Sequence, residues 1–206
     1  ASLTTKGILI SEDRKTTLKT RIIANKKHQL RVDEEDTHDI KVEQEFIKLV
    51  KNLISEVDVL ILQDYNKGVL TPKVIKTVIN IANSNKIPTI VDPKKENFEC
   101  YKNCTIFKPN LAEIKAGMNI EFNPDNIYEL ESVSNQLRNK LNTNGILLTM
   151  SSRGICIKTK KTFKHTPAFK RNIIDVSGAG DTVISVAALC LSSKMDLIQL
   201  SIISSL

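Results

Sequence analysis

The sequence has few aromatic residues and lacks the common nucleotide-binding signatures. Aromatic side chains make up 4% of its 206 residues and none is a tryptophan, which leaves few platforms for stacking unpaired bases. Neither the P-loop pattern nor the glycine spacing of a Rossmann dinucleotide site occurs. There is no run of about 18 apolar residues, and the N-terminus lacks the apolar core of a signal peptide. We therefore expect a soluble, cytoplasmic protein without nucleic-acid or membrane partners.

Cysteine and histidine are scattered along the chain. CxxC spacing and metal-ligand patterns are lacking among Cys100, Cys104, Cys156, Cys190, His28, His38 and His165. This favours reduced, structural thiols. The alternative is that Cys100 and Cys104 share a helix face and bind a metal ion.

The chain is basic, with a formal net charge of +7. Residues 158–171 carry six lysines or arginines and no acidic residue. We favour a solvated lysine-rich face as the explanation. A basic surface around a site for an anionic small molecule, and a nucleic-acid surface, are the alternatives.

Two glycines and a carboxylate stand directly before an apolar run. The stretch is Asp175-Val176-Ser177-Gly178-Ala179-Gly180-Asp181-Thr182, and residues 183–189 are typical of a buried helix. The first amides of such a helix have no intrahelical partner and favour an anion, which glycine allows to approach closely. Asp181 would then lie where a base could take a hydroxyl proton as a phosphoryl group arrives. The alternative is a tight turn with Asp181 as a helix cap.

Short apolar runs alternate with amphipathic ones between residues 57 and 150. The pattern predicts strands over 57–62, 87–91 and 146–150, and helices over 39–55, 71–83 and 125–141. Thr71 and Pro72 form a good helix start. Residues 17–24 and 29–32 alternate in type around a polar turn and predict a small antiparallel flap. Ligands of open α/β sheets bind at the carboxyl ends of the strands, so the chemistry should lie in the loops 64–68, 92–95, 108–113 and 149–154.

These four loops, in this order and followed by residues 175–181, resemble the ribokinase-like (PfkB) family of ATP-dependent sugar kinases. Within it, the stretches 14–21, 30–33, 64–68, 91–94 and 181–184 are most similar to kinases of D-glycero-β-D-manno-heptose 7-phosphate. The resemblance implies an α/β fold, a three-layer α/β/α sandwich with a mostly parallel sheet and a small β lid. Residues 1–206 would form one partial kinase domain, with 7–36 as the lid and 37–206 as the core.

The implied activity is phosphorylation of the anomeric hydroxyl of the heptose phosphate to the 1,7-bisphosphate, a step of ADP-heptose and lipopolysaccharide core synthesis. Another PfkB-type sugar kinase, or a noncatalytic nucleotide-binding remnant, is the alternative. The implied cofactors are ATP and Mg²⁺, with a monovalent cation such as K⁺ as an option. The implied partners are a small-molecule sugar phosphate, a second copy in a homodimer, and an adenylyltransferase domain fused in the full-length protein.

The resemblance also implies roles for individual residues. Asp181 resembles the catalytic base, and Gly178, Ala179 and Gly180 resemble the anion hole. The implied ATP-binding residues are Lys94, Asn110, Leu111, Ala112, Glu113, Thr149, Ser151, Arg153 and Gly154. Asn110 and Glu113 would also organise Mg²⁺, largely through water. Among residues that would bind the substrate, Arg21 and Lys67 are the candidates for its own phosphate, which needs cationic groups, and Asp64 is the candidate for a sugar hydroxyl.

Taken alone, these residues have structural explanations too. Asn110 and Glu113 suit a helix start, residues 149–154 a polar hairpin, and Lys94 a solvated surface. Tyr65 would only pack under its loop. Lys108 and Ser177 depart from the family, whose members often carry threonine there. We also expect a chain truncated at both ends, because it opens in the lid region and stops in an apolar helix that starts near Met195.

Overall fold

The computed structural model describes residues 4–24, 27–169 and 178–205. Two strands, β1 (Leu18–Ala24) and β2 (Lys27–Glu34), form a separate antiparallel sheet. Six further strands form the main sheet in chain order: β3 (Leu60–Gln63), β4 (Thr89–Asp92), β5 (Ile106–Phe107), β6 (Gly145–Thr149), β7 (Ile155–Thr159) and β8 (Phe163–Thr166). The first four run parallel, and β7 and β8 are added antiparallel.

Six α-helices accompany these strands in the described ranges. They are α1 (Glu43–Leu53), α2 (Pro72–Ser84), α3 (Leu111–Met118), α4 (Ile127–Leu141), α5 (Ala179–Ser192) and α6 (Leu197–Ile203). The predicted start of α2 is confirmed, because the Thr71 side chain accepts a hydrogen bond from the Val74 amide and Pro72 occupies the first turn. Helix α1 begins at Glu43 rather than at residue 39, because Val42 precedes it as the N-cap with a non-helical ψ of 31°.

Two apolar layers lie on opposite faces of the sheet. Successive strand residues point to opposite faces, so Val91 and Phe107 pack with helices α2 and α4 while Ile90 and Ile106 pack with α5. Helix α6 contributes Leu200 to the second layer. The sheet is therefore covered on both sides, as a mostly parallel sheet requires.

The antiparallel flap that the sequence predicts is present as β1 and β2, which we call the lid. Its turn residues 25 and 26 lie outside the described part of the chain. In the register of the two strands Ile22 faces Leu30, and Thr20 faces Val32. These side chains share one face of the lid with Leu18, and the four apolar ones are each about half exposed. The lid thus presents an apolar face to its surroundings.

The cysteines are structural in position. All four are free, and Cys104, Cys156 and Cys190 are buried. Cys100 and Cys104 lie outside any helix, so the alternative prediction that they share a helix face is wrong. Within the described ranges, no cluster of three or more acidic, histidine or cysteine residues is suited to a metal ion. None of the helices described is both long and apolar enough to cross a membrane.

Candidate active site

A cavity of about 920 Å³ opens at the carboxyl ends of the parallel strands, beside the start of α5. We call it the cleft. It is lined by strand ends and by the loops that follow them: Gln63, Tyr65, Asp92, Lys94, Lys108, Asn110, Leu111, Ala112, Glu113, Thr149, Met150, Ser151, Ser152, Arg153, Gly154, Ile155, Ala168, Gly178, Ala179, Gly180, Asp181, Val183, Ser204 and Ser205. This is the edge where an open α/β sheet binds its ligands, and the volume is that of a small-molecule site.

The floor of the cleft is a chain of charged and polar side chains from adjacent strand ends. Lys108 Nζ lies 2.8 Å from Asp92 Oδ1, and both side chains are almost completely buried. The other carboxylate oxygen of Asp92 accepts a hydrogen bond of 2.8 Å from Gln63 Nε2. The pairing compensates two charges that would be very costly to bury singly.

The glycine loop and the first turn of α5 form one wall. Gly178 is the N-cap with a φ of +78°, in the left-handed region that glycine adopts without strain. The first hydrogen bond of the helix runs from the Thr182 amide to the Gly178 carbonyl, so the amides of residues 179–181 have no partner within the helix. A Cβ on Gly180 would lie 3.9 Å from Lys108 Nζ. Amides without a partner in the helix and a buried ammonium therefore lie close together here, while residues 175–177 of the motif lie outside the described ranges.

The carboxylate of Asp181 points toward the end of β3. Its Oδ1 accepts hydrogen bonds from Gln63 Nε2 at 3.3 Å and from the Tyr65 hydroxyl at 3.4 Å. Tyr65 is 57% exposed, so it does not pack under its loop as the sequence suggested. Partial desolvation and then the neighbouring Asp181 charge raise the pKa of Tyr65 above its ordinary value.

Asn110 and Glu113 form a helix start, which the sequence offered as the alternative to a role in binding ATP and Mg²⁺. The Asn110 side chain accepts from the Glu113 amide, and Glu113 Oε2 accepts from the Asn110 amide, which makes a complete capping box at α3. Glu113 Oε1 pairs with Lys94 Nζ at 2.7 Å. Burial lowers the pKa of Lys94, but the Glu113 hydrogen bond and the charges of Glu113, Asp92 and Asp64 outweigh it and raise that pKa.

The donor set of this wall fits Mg²⁺ held through water rather than directly. Both oxygens of Glu113 already accept a hydrogen bond, so direct coordination would break one of them. The carboxylates that line the cleft, on Asp92, Glu113 and Asp181, come from three different elements and form no compact ligand cluster. Mg²⁺ commonly retains several waters and accepts such an arrangement.

Residues 149–154 form the turn between β6 and β7. Ser151–Arg153 is one turn of 3₁₀ helix. Gly154 has a φ of +90°, and a Cβ there would lie 2.1 Å from the Thr166 carbonyl oxygen. Arg153 pairs with Asp125 at 2.7 Å; this hydrogen bond and charge lower the pKa of Asp125 and raise that of Arg153. This turn is the polar hairpin that the sequence predicts, and it also carries the residues proposed to bind the nucleotide.

The three candidates for binding the sugar substrate lie elsewhere. Arg21 stands opposite Arg31 in the lid, and Lys67 forms a half-buried ion pair with Glu35. Asp64 is 2% exposed and accepts hydrogen bonds of 2.7 Å from the Tyr101 hydroxyl and the Asn66 amide. None of the three is among the described residues that line the cleft.

Gln63, Tyr65 and Asp92 are polar residues of the cleft to which the sequence motifs assign no binding or catalytic role. The position of Gln63 in the sequence does indicate a role, because it is the last residue of β3 and ligands of such sheets bind at the carboxyl ends of the strands. Lys108 drew attention only as a departure from the family. Its position one residue after β5 places it in the floor beside Asp92.

Residues 1–201 match the model of the pfkB family carbohydrate kinases. The chain therefore belongs to the pfkB family. It is 38% identical over 192 residues to the bifunctional protein HldE of Campylobacter jejuni subsp. doylei, and 36% identical over 199 residues to the bifunctional protein HldE of Aliarcobacter butzleri. These alignments cover 93% and 95% of this chain but 41% of each relative, so the chain spans less than half the length of these proteins.

Solved structures share the fold. A crystal structure named Sa239 superposes with a TM-score of 0.74 at 20% identity, covering 98% of this chain and 65% of that one. Escherichia coli phosphofructokinase-2 in complex with potassium superposes with a TM-score of 0.66 at 17% identity, covering 77% and 52%. The predicted three-layer α/β/α sandwich with a mostly parallel sheet is confirmed.

Proposed function

We propose that the chain is the kinase part of an ATP-dependent sugar-phosphate kinase, formed by the lid over residues 7–36 and the core over 37–206. The observation that carries this proposal is the placement of Asp181. It stands in the first turn of α5, beside amides that have no partner within the helix and beside a buried lysine, in a cleft large enough for a nucleotide. Phosphoryl transfer needs this combination of a base, positioning and charge neutralisation.

In the proposed reaction Asp181 takes the proton of the sugar hydroxyl. The hydroxyl oxygen forms a bond to the γ-phosphorus of ATP, and the bond from that phosphorus to the β–γ bridging oxygen breaks to release ADP. The amides of Gly178, Ala179 and Gly180 face the charge that develops on the transferring group. Lys108, whose ammonium lies near Gly180, adds positive charge from below.

ATP is assigned to the other wall of the cleft. Lys94 and Arg153 supply cationic groups there, and Asn110, Leu111, Ala112, Glu113, Thr149, Ser151 and Gly154 supply the remaining surface. Asn110 and Glu113 would hold Mg²⁺ through water, and that ion would neutralise phosphate charge when bound. A monovalent cation such as K⁺ is part of the proposal because a structure of phosphofructokinase-2, which shares this fold, was obtained with potassium.

The proposed acceptor is D-glycero-β-D-manno-heptose 7-phosphate, phosphorylated on its anomeric hydroxyl. Support comes from the motifs described above and from the similarity to proteins named HldE. Lys67 and Arg21 remain the proposed groups for the sugar's own phosphate, with Glu35 displaced from Lys67 when it binds. Asp64 remains a proposed sugar ligand, although in the structure it fixes the loop through Tyr101.

The test is product formation by the full-length protein with Mg²⁺-ATP and a panel of heptose 7-phosphate, fructose 6-phosphate, fructose 1-phosphate and ribose. A 1,7-bisphosphate formed at least about tenfold faster than any other product supports the proposal, since that factor is about 1.4 kcal/mol of transition-state binding. Faster turnover of another sugar assigns a different acceptor within the same family. Nucleotide binding without any product contradicts the kinase assignment.

We also propose a homodimer through the lid. Its apolar face is formed by Leu18, Ile22, Leu30 and Val32, which are each about half exposed. Contiguous exposed apolar patches commonly mark protein–protein interfaces, and we propose that a second copy of the chain covers this one. Leu30→Lys should convert a dimer to a monomer in sedimentation, whereas Lys19→Gln on the opposite face should not.

The adenylyltransferase domain is proposed for the part of the HldE relatives that this chain does not span.

A further inference from the structure

Asp181 is held from one side by two donors that come from the end of β3. Gln63 Nε2 and the Tyr65 hydroxyl both reach Oδ1, at 3.3 and 3.4 Å. Within the described residues, both side-chain hydrogen bonds to this carboxylate end on the same oxygen. Distances at the long end of the range are common for catalytic hydrogen bonds without substrate and shorten in the reacting complex.

Gln63 is itself fixed from below. The same Nε2 donates to Asp92 Oδ2 at 2.8 Å, and Asp92 is paired with buried Lys108. An amide nitrogen carries two protons and can serve two acceptors. Gln63 therefore bridges the two carboxylates by donating to one oxygen of Asp92 and one of Asp181.

Tyr65 is fixed by its neighbours in the loop. Asp64 is buried and accepts from the Tyr101 hydroxyl and from the Asn66 amide, so the backbone on both sides of Tyr65 is tied down. The Asp64 amide also donates to the Asp92 carbonyl at 2.9 Å. The phenol is thus presented to the cleft from a rigid base.

We propose that Gln63 and Tyr65 are positioning residues that hold Asp181 by Oδ1 and so leave Oδ2 to take the proton of the sugar hydroxyl. This inference rests on the proposed function, in which Asp181 is the base. It assigns to the buried pair of Lys108 and Asp92 an indirect role, because that pair anchors Gln63. A carboxylate without these donors would rotate and misplace the accepting oxygen.

The test is a double-mutant cycle in the full-length protein, with single-turnover product formation so that low residual rates can be read. Tyr65→Phe and Gln63→Met should each lower kcat by about 5- to 20-fold, as expected for one lost hydrogen bond. The KM values for ATP and sugar phosphate should change by less than about twofold. In an Asp181→Asn background the same changes should lower the residual rate by less than about twofold, because the group they position has lost its function.

Tyr128→Phe is the matched control, because Tyr128 is 81% exposed on α4 and does not line the cleft. It should leave kcat unchanged in either background. Equal loss factors for Tyr65→Phe with and without Asp181 would overturn the positioning role. A raised KM at unchanged kcat would overturn it as well, by making Tyr65 a substrate-binding residue. Absence of wild-type turnover contradicts the proposed function instead, so the two failures are distinguishable.

Discussion

Lys108 Nζ lies 2.8 Å from Asp92 Oδ1 in the floor of the cleft, where neither side chain is more than 9% exposed. Two neighbouring strand ends are thereby joined by a buried ion pair, and Gln63 joins the next strand to it. The pair holds charge of both signs close to the start of α5. Its integrity matters for the fold and for the position of Asp181.

Removing the lysine should be strongly destabilising. Lys108→Met leaves a buried carboxylate without its partner, and we expect a loss of about 3–5 kcal/mol in the free energy of unfolding. Lys140→Met is the control, because the Lys140–Glu99 pair is about half exposed and such pairs contribute about 0–1 kcal/mol. Urea unfolding measures both. Equal, small losses in the two variants would contradict the account of a buried pair.

Two glycines with positive φ should respond differently to alanine. At Gly154 a Cβ would collide with the Thr166 carbonyl, and the φ of +90° is strained for alanine, so Gly154→Ala should cost more than about 2 kcal/mol. Among the described residues, none has an atom within 4 Å of a Cβ placed on Gly178, so Gly178→Ala should cost the strain of a left-handed alanine backbone, about 1–2 kcal/mol. Unfolding free energies rank them, and a larger loss at Gly178 would refute this reasoning.

The buried thiols should resist alkylation. Burial raises the pKa of Cys104 and of Cys156 to about 12, which leaves a thiolate fraction on the order of 10⁻⁴ at pH 8. Peptide mapping after iodoacetamide treatment at pH 8 should find both unmodified in the native protein and all four cysteines modified after denaturation. Rapid native labelling of either would show that the structure places it wrongly.

The pairing of Lys94 with Glu113 gives a pH prediction. Because the folded-state pKa of Lys94 is raised above its ordinary value of 10.5, its contribution to stability is fully present below that pH and is lost as the pH rises through the folded value. The difference in unfolding free energy between wild type and Lys94→Met should stay constant from pH 7 to 10 and shrink above 10.5. If the free-energy difference between wild type and Lys94→Met changed between pH 7 and 9, a group other than Lys94 would be responsible for the pH dependence.

Local signals sufficed for much of the fold. Thr71 and Pro72 predicted the start of α2, and the alternation around the polar turn predicted the lid strands. β5 has only two residues, and no periodicity can reveal so short a strand. The apolar spacing predicts a start of α1 at residue 39, four residues too early, because spacing does not reveal the non-helical backbone of Val42, whose ψ is 31°.

The candidate site was predictable to the extent that it lies at strand ends. Residues 108–113 and 149–154 were expected in the cleft and line it in large part. Sequence patterns do not reveal contacts between side chains that are far apart in the chain. Gln63 contacts Asp181, 118 residues away, and Asp64 is turned into the core by Tyr101 rather than toward the cleft.

The assignment of Asp181 as the base is tested most directly by the turnover of Asp181→Asn in the full-length protein with Mg²⁺-ATP and sugar phosphate. Asp58→Asn serves as the control, because Asp58 is exposed just before β3, at the opposite end of that strand from the cleft. The account predicts a fall in kcat of at least about 100-fold for Asp181→Asn, with KM values within a few-fold and Asp58→Asn unchanged. Full turnover by Asp181→Asn would contradict the account.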